Sequence, residues 1–322
     1  MERVVDPLVL QRRRETNASF VVGFAIMVAL FAVLPFVAYP VFLMQALCFA
    51  LFACAFNLLI GYVGLVSFGH ALYFGWAGYL AAYAAKVWAL PTEVAILIGT
   101  ATAAVLGVIA GGVAIRRQGI YFAMITLALA QMMYFFALRA PFTGGEDGIQ
   151  SVPRGRLFGY FDLSNEMTMY VFVLVVVLAA FLLIYRIINS PFGEVLKAIR
   201  ENEQRTISLG YNTDRYKLVV FVLSATLAGL AGSLKALVFQ LASLTDVHWT
   251  MSGDVLLMTL LGGLGTVFGP VVGAFAVIAM QNYLAPFGQW VLVIQGVIFV
   301  VCVLVFRRGI VGELAALLRV RL

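Results

Sequence analysis

The chain has 322 residues, of which 63% are hydrophobic and only 11% are charged, and its formal net charge is +6. Soluble domains carry about 25% charged residues, and runs such as Phe20–Ala38 and Tyr170–Ile184 leave no polar face that could turn toward water. The composition therefore excludes an ordinary soluble domain and predicts an all-α, polytopic integral membrane protein.

A transmembrane helix needs about 20 apolar residues, and the apolar runs predict about ten such segments in chain order. They cover residues 19–38, 41–60, 63–85, 92–114, 119–138, 169–187, 216–238, 252–266, 267–285 and 289–306. Before them lies a cytoplasmic N-terminal arm, residues 1–18, and we expect the first segment to be a retained helix rather than a cleaved signal peptide. The transmembrane domain is predicted to span 19–312, with a cytoplasmic tail at 313–322.

The eighth segment is short and contains glycine, so it could either cross the membrane or dip into it and return. Ten crossings with a cytoplasmic N-terminus place 16 of the 21 lysines and arginines inside, as the positive-inside rule requires. A re-entrant eighth segment would place Arg307 and Arg308 outside. We therefore predict ten crossings with both termini inside. The two halves then begin on opposite sides of the membrane, which is the topology of an inverted repeat.

Two longer polar connections follow from this topology. Residues 139–168, rich in glycine, proline and acidic residues, are predicted to form an ordered loop on the outer face, and residues 190–215 to form a cytoplasmic loop. Few ionisable residues remain inside the segments: no carboxylate lies deep in any of them, His70 is the one titratable group at depth, and Lys235 is expected to snorkel to the outer headgroups.

The sequence contains no nucleotide-binding loop and no hydrolase, protease or metal-site motif. We therefore predict that the protein is not an enzyme and that it has no cofactor, metal site or catalytic residue. Its energy must come from another subunit or from an ion gradient. This leaves two classes of function open, a transport subunit driven by partners and an autonomous ion-coupled carrier or channel.

Glycine is concentrated in two stretches, 57–83 and 256–275, one in each half of the chain. Repeated glycine at membrane depth is tolerated where the freed backbone is buried in protein or lines a cavity, so we predict broken helices and a translocation pathway near the midplane. The candidate pathway residues are Asn57, Gly64, Ser67, Gly69, His70, Gly262, Gly263 and Gly265. For His70, both a contact with substrate and a hydrogen bond that pins two helices remain open.

Residues 190–217 hold nine of the 36 charged residues. Ser190 and Pro191 predict a helix start, apolar residues then recur at helical spacing, and Gly210 is expected to end a second turn or helix. The pattern predicts a short amphipathic helix beneath the membrane, which is either a docking helix for a partner or a solvated connector. The candidate docking residues are Phe192, Gly193, Leu196, Arg200, Glu201 and Gly210. Gly193 is expected to allow close approach, and Arg200 with Glu201 to make polar contacts with the partner.

Five stretches in order resemble the motifs of the branched-chain amino acid ABC transporter permeases, on the side of their M-type subunit. They read GYVGLVSFGHALYFGWAGYLAAY, RRQGIYFAMITLALAQ, TGGEDGIQSVP, SPFGEVLKAIRENEQRTISLGYNTDRYKLVVFVLSATLAGLAGSL and LLMTLLGGLGTVFGPVVGA, and the closing FRRGIVG is also similar. The resemblance runs from about residue 50 to residue 312. Lys235 departs from the usually apolar or aromatic residue of the family.

The resemblance implies a multi-pass half-transporter of the bacterial cell inner membrane, surrounded by membrane lipid and binding no nucleic acid. Its implied partners are a homologous second permease, two cytoplasmic ATP-binding subunits and a periplasmic substrate-binding protein. The coupling helix of the family would fall on residues 191–210. The implied substrates are branched-chain amino acids, although similar permeases move urea, short amides or other amino acids, so the substrate stays open.

Overall fold

The computed structural model of the protein describes residues 7–288, 290–305 and 309–317. Thirteen α-helices and four two-residue strands form within these ranges. The helices are α1 (Pro7–Val33), α2 (Pro40–Ile60), α3 (His70–Lys86), α4 (Thr92–Ala114), α5 (Ile120–Arg139), α6 (Glu166–Ile188), α7 (Pro191–Glu201), α8 (Glu203–Ser208), α9 (Thr213–Phe239), α10 (Trp249–Gly262), α11 (Gly269–Leu284), α12 (Trp290–Val305) and α13 (Gly309–Leu317). The strands are β1 (Ile149–Gln150), β2 (Arg156–Leu157), β3 (Phe161–Asp162) and β4 (Leu241–Ala242).

Five of the helices in the described ranges are long and apolar enough to cross a membrane, namely α2, α4, α5, α6 and α9. Shorter apolar helical segments lie at Phe20–Phe36, Gly269–Leu284 and Val293–Cys302. The protein is therefore an all-α, multi-pass membrane protein, as its composition predicted. The count of ten crossings and the inverted repeat stay predictions.

The two ends of the chain are more helical than expected. Helix α1 begins at Pro7, so residues 7–18 of the predicted arm belong to the same helix as the first predicted segment. Helix α13 likewise continues from the predicted transmembrane domain into the tail. Several residues that supported the predicted orientation lie outside the described residues, namely Arg3, Arg307, Arg308, Arg319 and Arg321.

The core is built around α2 and α9. Nearly every residue of α2 from Leu43 to Ile60 is buried, and α9 packs against α2, α3 and α4. Glycine permits the closest of these contacts: a Cβ on Gly232 of α9 would lie 1.9 Å from the carbonyl oxygen of Phe74 in α3, and one on Gly229 would lie 2.2 Å from the Cβ of Ala103 in α4. Small residues let helix backbones approach each other in this way in membrane proteins.

Both glycine-rich stretches are interrupted, as predicted. The backbone between α2 and α3 is not helical over residues 61–69, and the backbone between α10 and α11 is not helical over residues 263–268. We call these segments the first break and the second break. Helix α3 consequently begins seven residues later than the third predicted segment.

The loops define two opposite faces of the molecule. On one face β1 of the 139–168 loop pairs with β4, which follows α9, and Lys86 at the end of α3 donates a hydrogen bond to the Gln150 carbonyl. On the other face α7 contacts the ends of α2 and α10. Helix α10 therefore connects the two faces, although its 14 residues rise only about 21 Å, short of the ~30 Å of a bilayer core.

Candidate functional site: the two breaks and helix α7

Asn57 joins the end of α2, just before the first break, to the second break. Its side chain is almost fully buried. The Nδ2 group donates to the Thr266 carbonyl at 2.9 Å, and Oδ1 accepts a hydrogen bond from the Gly265 amide at 3.0 Å. A carboxamide can satisfy a donor and an acceptor at once, so one side chain from the first half of the chain closes the backbone of the second break.

Close backbone contact governs the second break. A Cβ on Gly262 would lie 1.9 Å from the carbonyl oxygen of Gly269, and a Cβ on Gly273 would lie 1.8 Å from that of Met258. Gly263 and Gly265 have φ angles of +124° and +75°, which side-chain-bearing residues rarely adopt. The chain can turn from α10 into α11 at this point only because these positions are glycine.

Side-chain hydroxyls hold the first break and the start of α3. The Gly69 amide donates to Ser67 Oγ at 3.3 Å, the Phe68 amide donates to Thr126 Oγ1 at 3.2 Å, and the Ala71 amide donates to Ser252 Oγ at 2.9 Å. The first amides of a helix have no partner within that helix. Hydroxyls from α5 and α10 thus help to satisfy backbone donors where α3 begins inside the protein.

The space around the glycines differs along the first break. A Cβ on Gly69 would lie 2.4 Å from the Thr126 carbonyl oxygen, whereas a Cβ on Gly64 would meet no atom within 3.4 Å.

His70 is fully buried and links three helices. Its Nε2 lies 2.8 Å from Ser224 Oγ in α9, and that hydroxyl donates in turn to the Ala55 carbonyl of α2. Because the serine proton is used there, this network assigns the neutral histidine with its proton on Nε2. Nδ1 has no partner among the described residues and then carries only a lone pair. This arrangement supports the pinning role for His70.

Helix α7 begins as predicted. The Ser190 side chain accepts a hydrogen bond from the Gly193 amide at 3.3 Å, which is an N-terminal cap. A Cβ on Gly193 would lie 2.1 Å from the Ile188 carbonyl oxygen, so the close approach at this glycine is to the end of α6. Leu196 and Ile199 are buried against the protein, and the Phe192 ring stacks on Tyr216 with 5.5 Å between centroids.

Arg200, in the last turn of α7, lies against both breaks. Its Nη1 donates a hydrogen bond to the Gly61 carbonyl at the end of α2. A Cβ on Gly265 would lie 3.2 Å from the same nitrogen, and a Cβ on Gly64 would lie 3.5 Å from Arg200 Cγ. Arg200 thus contacts the backbone of its own chain, while both Arg200 and Glu201 remain exposed, and their predicted contact with a partner stays a prediction.

Helix α8 is anchored beside α7 by Glu203. Oε1 of this carboxylate pairs with Lys217 of α9, whose side chain is buried, and accepts a hydrogen bond from Thr213 Oγ1 at 3.1 Å. Oε2 accepts a hydrogen bond from Gln118 Nε2 at 3.0 Å. Gly210 follows α8 with a φ of +89°, in agreement with its predicted role as a helix end. The charge of Glu203 is therefore offset by Lys217 within the chain.

Two ionisable residues differ from their predicted surroundings. Lys235 does not snorkel toward headgroups. Its Nζ forms an ion pair with Asp246, 2.6 Å from Oδ1, and both side chains are largely buried.

Asp254 was overlooked in the sequence. Helix α10 begins at Trp249, so Asp254 lies in its second turn, half-buried and without a hydrogen-bond or ion-pair partner among the described residues. The missed signal was a carboxylate within the eighth predicted segment, residues 252–266.

Together these features define a multi-pass membrane protein in which an amphipathic surface helix adjoins two interrupted helices. A family model described as "Branched-chain amino acid transport system / permease component" matches residues 40–304. The chain belongs to this family, and the resemblance read from its motifs is confirmed.

The relatives carry matching names. The chain is 26% identical over 277 residues to the high-affinity branched-chain amino acid transport system permease protein LivM of Escherichia coli, and 25% identical over the same length to LivM of Salmonella typhimurium. Each match covers 79% of this chain and 65% of the relative. A probable branched-chain amino acid transport permease protein LivH of Methanocaldococcus jannaschii is 28% identical over 170 residues, which is 48% of this chain and 50% of the relative. No solved structure matches the chain significantly.

Proposed function

We propose that the chain is a permease subunit of an ATP-binding-cassette importer and forms the translocation pathway for branched-chain or related amino acids delivered by a periplasmic binding protein. Its partners are a homologous second permease and two cytoplasmic ATP-binding subunits in a bacterial inner membrane. Family membership and the names of the LivM relatives support this proposal. The LivH match supports the second permease, because the chain is similar to both kinds of subunit.

The observation that carries the proposal is the position of α7 beneath both breaks. Its buried face holds it to the protein, while Glu194 and Glu201 remain exposed and Lys197 pairs with Glu194 at 2.8 Å on the surface. A polar, mixed-charge outer face suits a protein partner better than anionic lipid, because the carboxylates offset its positive charge. We propose that this face docks on an ATP-binding subunit and that substrate passes along the two breaks.

The experiment is purification of the complex in detergent, followed by reconstitution in vesicles with the binding protein. We expect an ATP-binding subunit to copurify with the chain and its hydrolysis to rise when loaded binding protein is added. Uptake of labelled leucine, isoleucine and valine should exceed uptake of urea and acetamide. Uptake of urea or acetamide without uptake of the amino acids would show that the transporter acts on a different class of substrate. Absence of any copurifying ATPase would overturn the proposal that the chain belongs to an ATP-driven importer.

One observation favours a second candidate, an autonomous ion-coupled carrier. The half-buried Asp254 has no partner among the described residues, and carboxylates within membrane segments are typical of ion and proton pathways. An autonomous carrier would move substrate in ATP-free vesicles when an ion gradient is imposed, and Asp254→Asn would abolish that uptake. In an importer driven by partner subunits, uptake would require ATP with or without an imposed ion gradient.

Orientation can be tested by labelling from one side. Tyr160 is 88% exposed at the tip of the β2–β3 hairpin, and Leu209 is 68% exposed after α8. Cysteines at these positions, in a background where partly exposed Cys302 is replaced by alanine, should react with an impermeant maleimide from opposite sides of the membrane. Buried Cys48 and Cys54 serve as unreactive internal controls. Labelling of both from one side would refute the predicted topology.

A further inference from the structure

We propose that Arg200 is the positioning residue that ties helix α7 to both breaks, so that movement of α7 reaches the ends of α2 and α10 together. This inference rests on the proposed function, because it describes how movement of an ATP-binding subunit would enter the pathway. It differs from a docking role, in which Arg200 would face the partner.

The contacts of Arg200 all lead to backbone. Its guanidinium donates to the Gly61 carbonyl, and the Gly61 amide in turn donates to the Asn57 carbonyl at 2.7 Å. The same nitrogen of Arg200 lies beside Gly265, whose amide is bound by the Asn57 side chain. Arg200 and Asn57 therefore meet the same two backbone segments: Arg200 is hydrogen-bonded to Gly61 and lies beside Gly265, and Asn57 is hydrogen-bonded to both.

Electrostatics explains why a cation occupies this position. The C-terminal end of a helix carries a partial negative charge, which a nearby cation offsets. Helices α2 and α10 both end here, and neither has a basic residue in its last turn. Arg200 supplies one charge from α7 to both helix ends. Its planar guanidinium also offers several donors in a fixed geometry, which a lysine ammonium does not.

Helix α7 can transmit force because its body is fixed. Its start is capped by Ser190 and packed against α6, and Leu196 and Ile199 hold its inner face. Glu201 lies next to Arg200 in the chain, and both side chains are exposed. Of the two, Arg200 has a hydrogen bond to the first break, whereas Glu201 has no hydrogen bond or ion pair among the described residues.

The first test is hydrogen exchange on the purified full-length chain, which needs no partner. Arg200→Gln should raise amide exchange about tenfold in both breaks, residues 61–69 and 263–268, because the first break loses a charged hydrogen bond and the second loses the cation beside Gly265. Arg200→Lys should raise it less, since an ammonium keeps the charge. Glu201→Gln is the matched control and should leave both breaks unchanged. A rise confined to α7, or to a single break, would overturn the proposal.

The second test uses the reconstituted complex and compares wild type, Arg200→Gln, Arg200→Lys and Glu201→Gln. We expect Arg200→Gln to retain copurifying ATPase within about twofold while substrate moved per ATP falls about tenfold, with partial rescue in Arg200→Lys. Loss of copurification would make Arg200 a docking residue and refute the inference, as would unchanged transport per ATP. If wild type shows no copurifying ATPase, the proposed function fails, whereas the exchange result still decides whether Arg200 joins the breaks.

Discussion

The two breaks interrupt helices at similar places but rely on different interactions. The helices that flank the second break meet backbone so closely at Gly262 and Gly273 that neither position has room for a side chain. In the first break, hydroxyl groups bind the amides of Phe68 and Gly69, and a Cβ on Gly64 would meet no atom within 3.4 Å. The comparison teaches that a glycine-rich pattern covers two cases: positions where glycine is required by contact, and positions where it is required by backbone conformation.

The largest effect is expected from Gly262→Ala. The added methyl group would overlap the Gly269 carbonyl, which cannot move unless α11 shifts, and overpacking of this kind costs about 3 kcal/mol. Thermal unfolding in detergent should show a clear drop in midpoint. Gly253→Ala in the same helix is the control, because its Cβ would meet no atom within 4 Å. Equal midpoints for both variants would show that the second break is not closed by steric contact.

Asn57→Ala should rank next, since it removes the bonds that join the end of α2 to the second break. It leaves the Gly265 amide and the Thr266 carbonyl without their partner, at about 1 kcal/mol for each group because both hydrogen bonds are only partly buried. The control is Asn282→Ala, whose amide donates only one turn back, to the Ile278 carbonyl. Chemical denaturation should separate the two variants. If Asn57→Ala lowers the free energy of unfolding no more than Asn282→Ala does, Asn57 does not join these segments as proposed.

Ser224→Ala tests the hydroxyl network behind the first break. It removes the partner of His70 and the bond to the Ala55 carbonyl, so we expect a loss of about 1–3 kcal/mol in stability. Thr226→Ala, on the same helix, is a matched control because the Thr226 hydroxyl donates to Val222 one turn earlier. If the unfolding midpoint of Ser224→Ala equals or exceeds that of Thr226→Ala, the hydrogen bonds of Ser224 do not stabilise the protein as proposed.

The smallest effect is expected at Gly64, where conformation alone is limiting. With a φ of +81°, alanine should cost about 1–2 kcal/mol. Asparagine tolerates left-handed backbone better than alanine, so Gly64→Asn should be the milder substitution. Comparison of their unfolding midpoints sharpens the contrast with Gly262. If asparagine is worse than alanine, space rather than conformation is what limits Gly64.

Local signals predicted much of this fold. Helix α4 has the bounds expected from its apolar run, α2 begins one residue early, and the start of α7 follows from Ser190 and Pro191. The late start of α3 was not predictable, since residues 63–69 are apolar enough to be helical, and the Phe68 amide is bound by the hydroxyl of Thr126, which is distant in sequence. The hydrogen bond of Arg200 to Gly61 was not predictable for the same reason, because the two residues lie 139 positions apart.

The 139–168 loop combines a fixed base with a free tip. Thr92 donates to the Arg154 carbonyl at 2.6 Å, and the Arg154 guanidinium donates to the Val238 carbonyl at 2.7 Å, so the base of the loop is fastened to α4 and α9. Beyond it the β2–β3 hairpin ends at Gly159, around which no atom lies within 4 Å of an added Cβ. The hairpin is therefore a suitable insertion point for an epitope tag or fluorophore, which would report on the molecule without touching its helices.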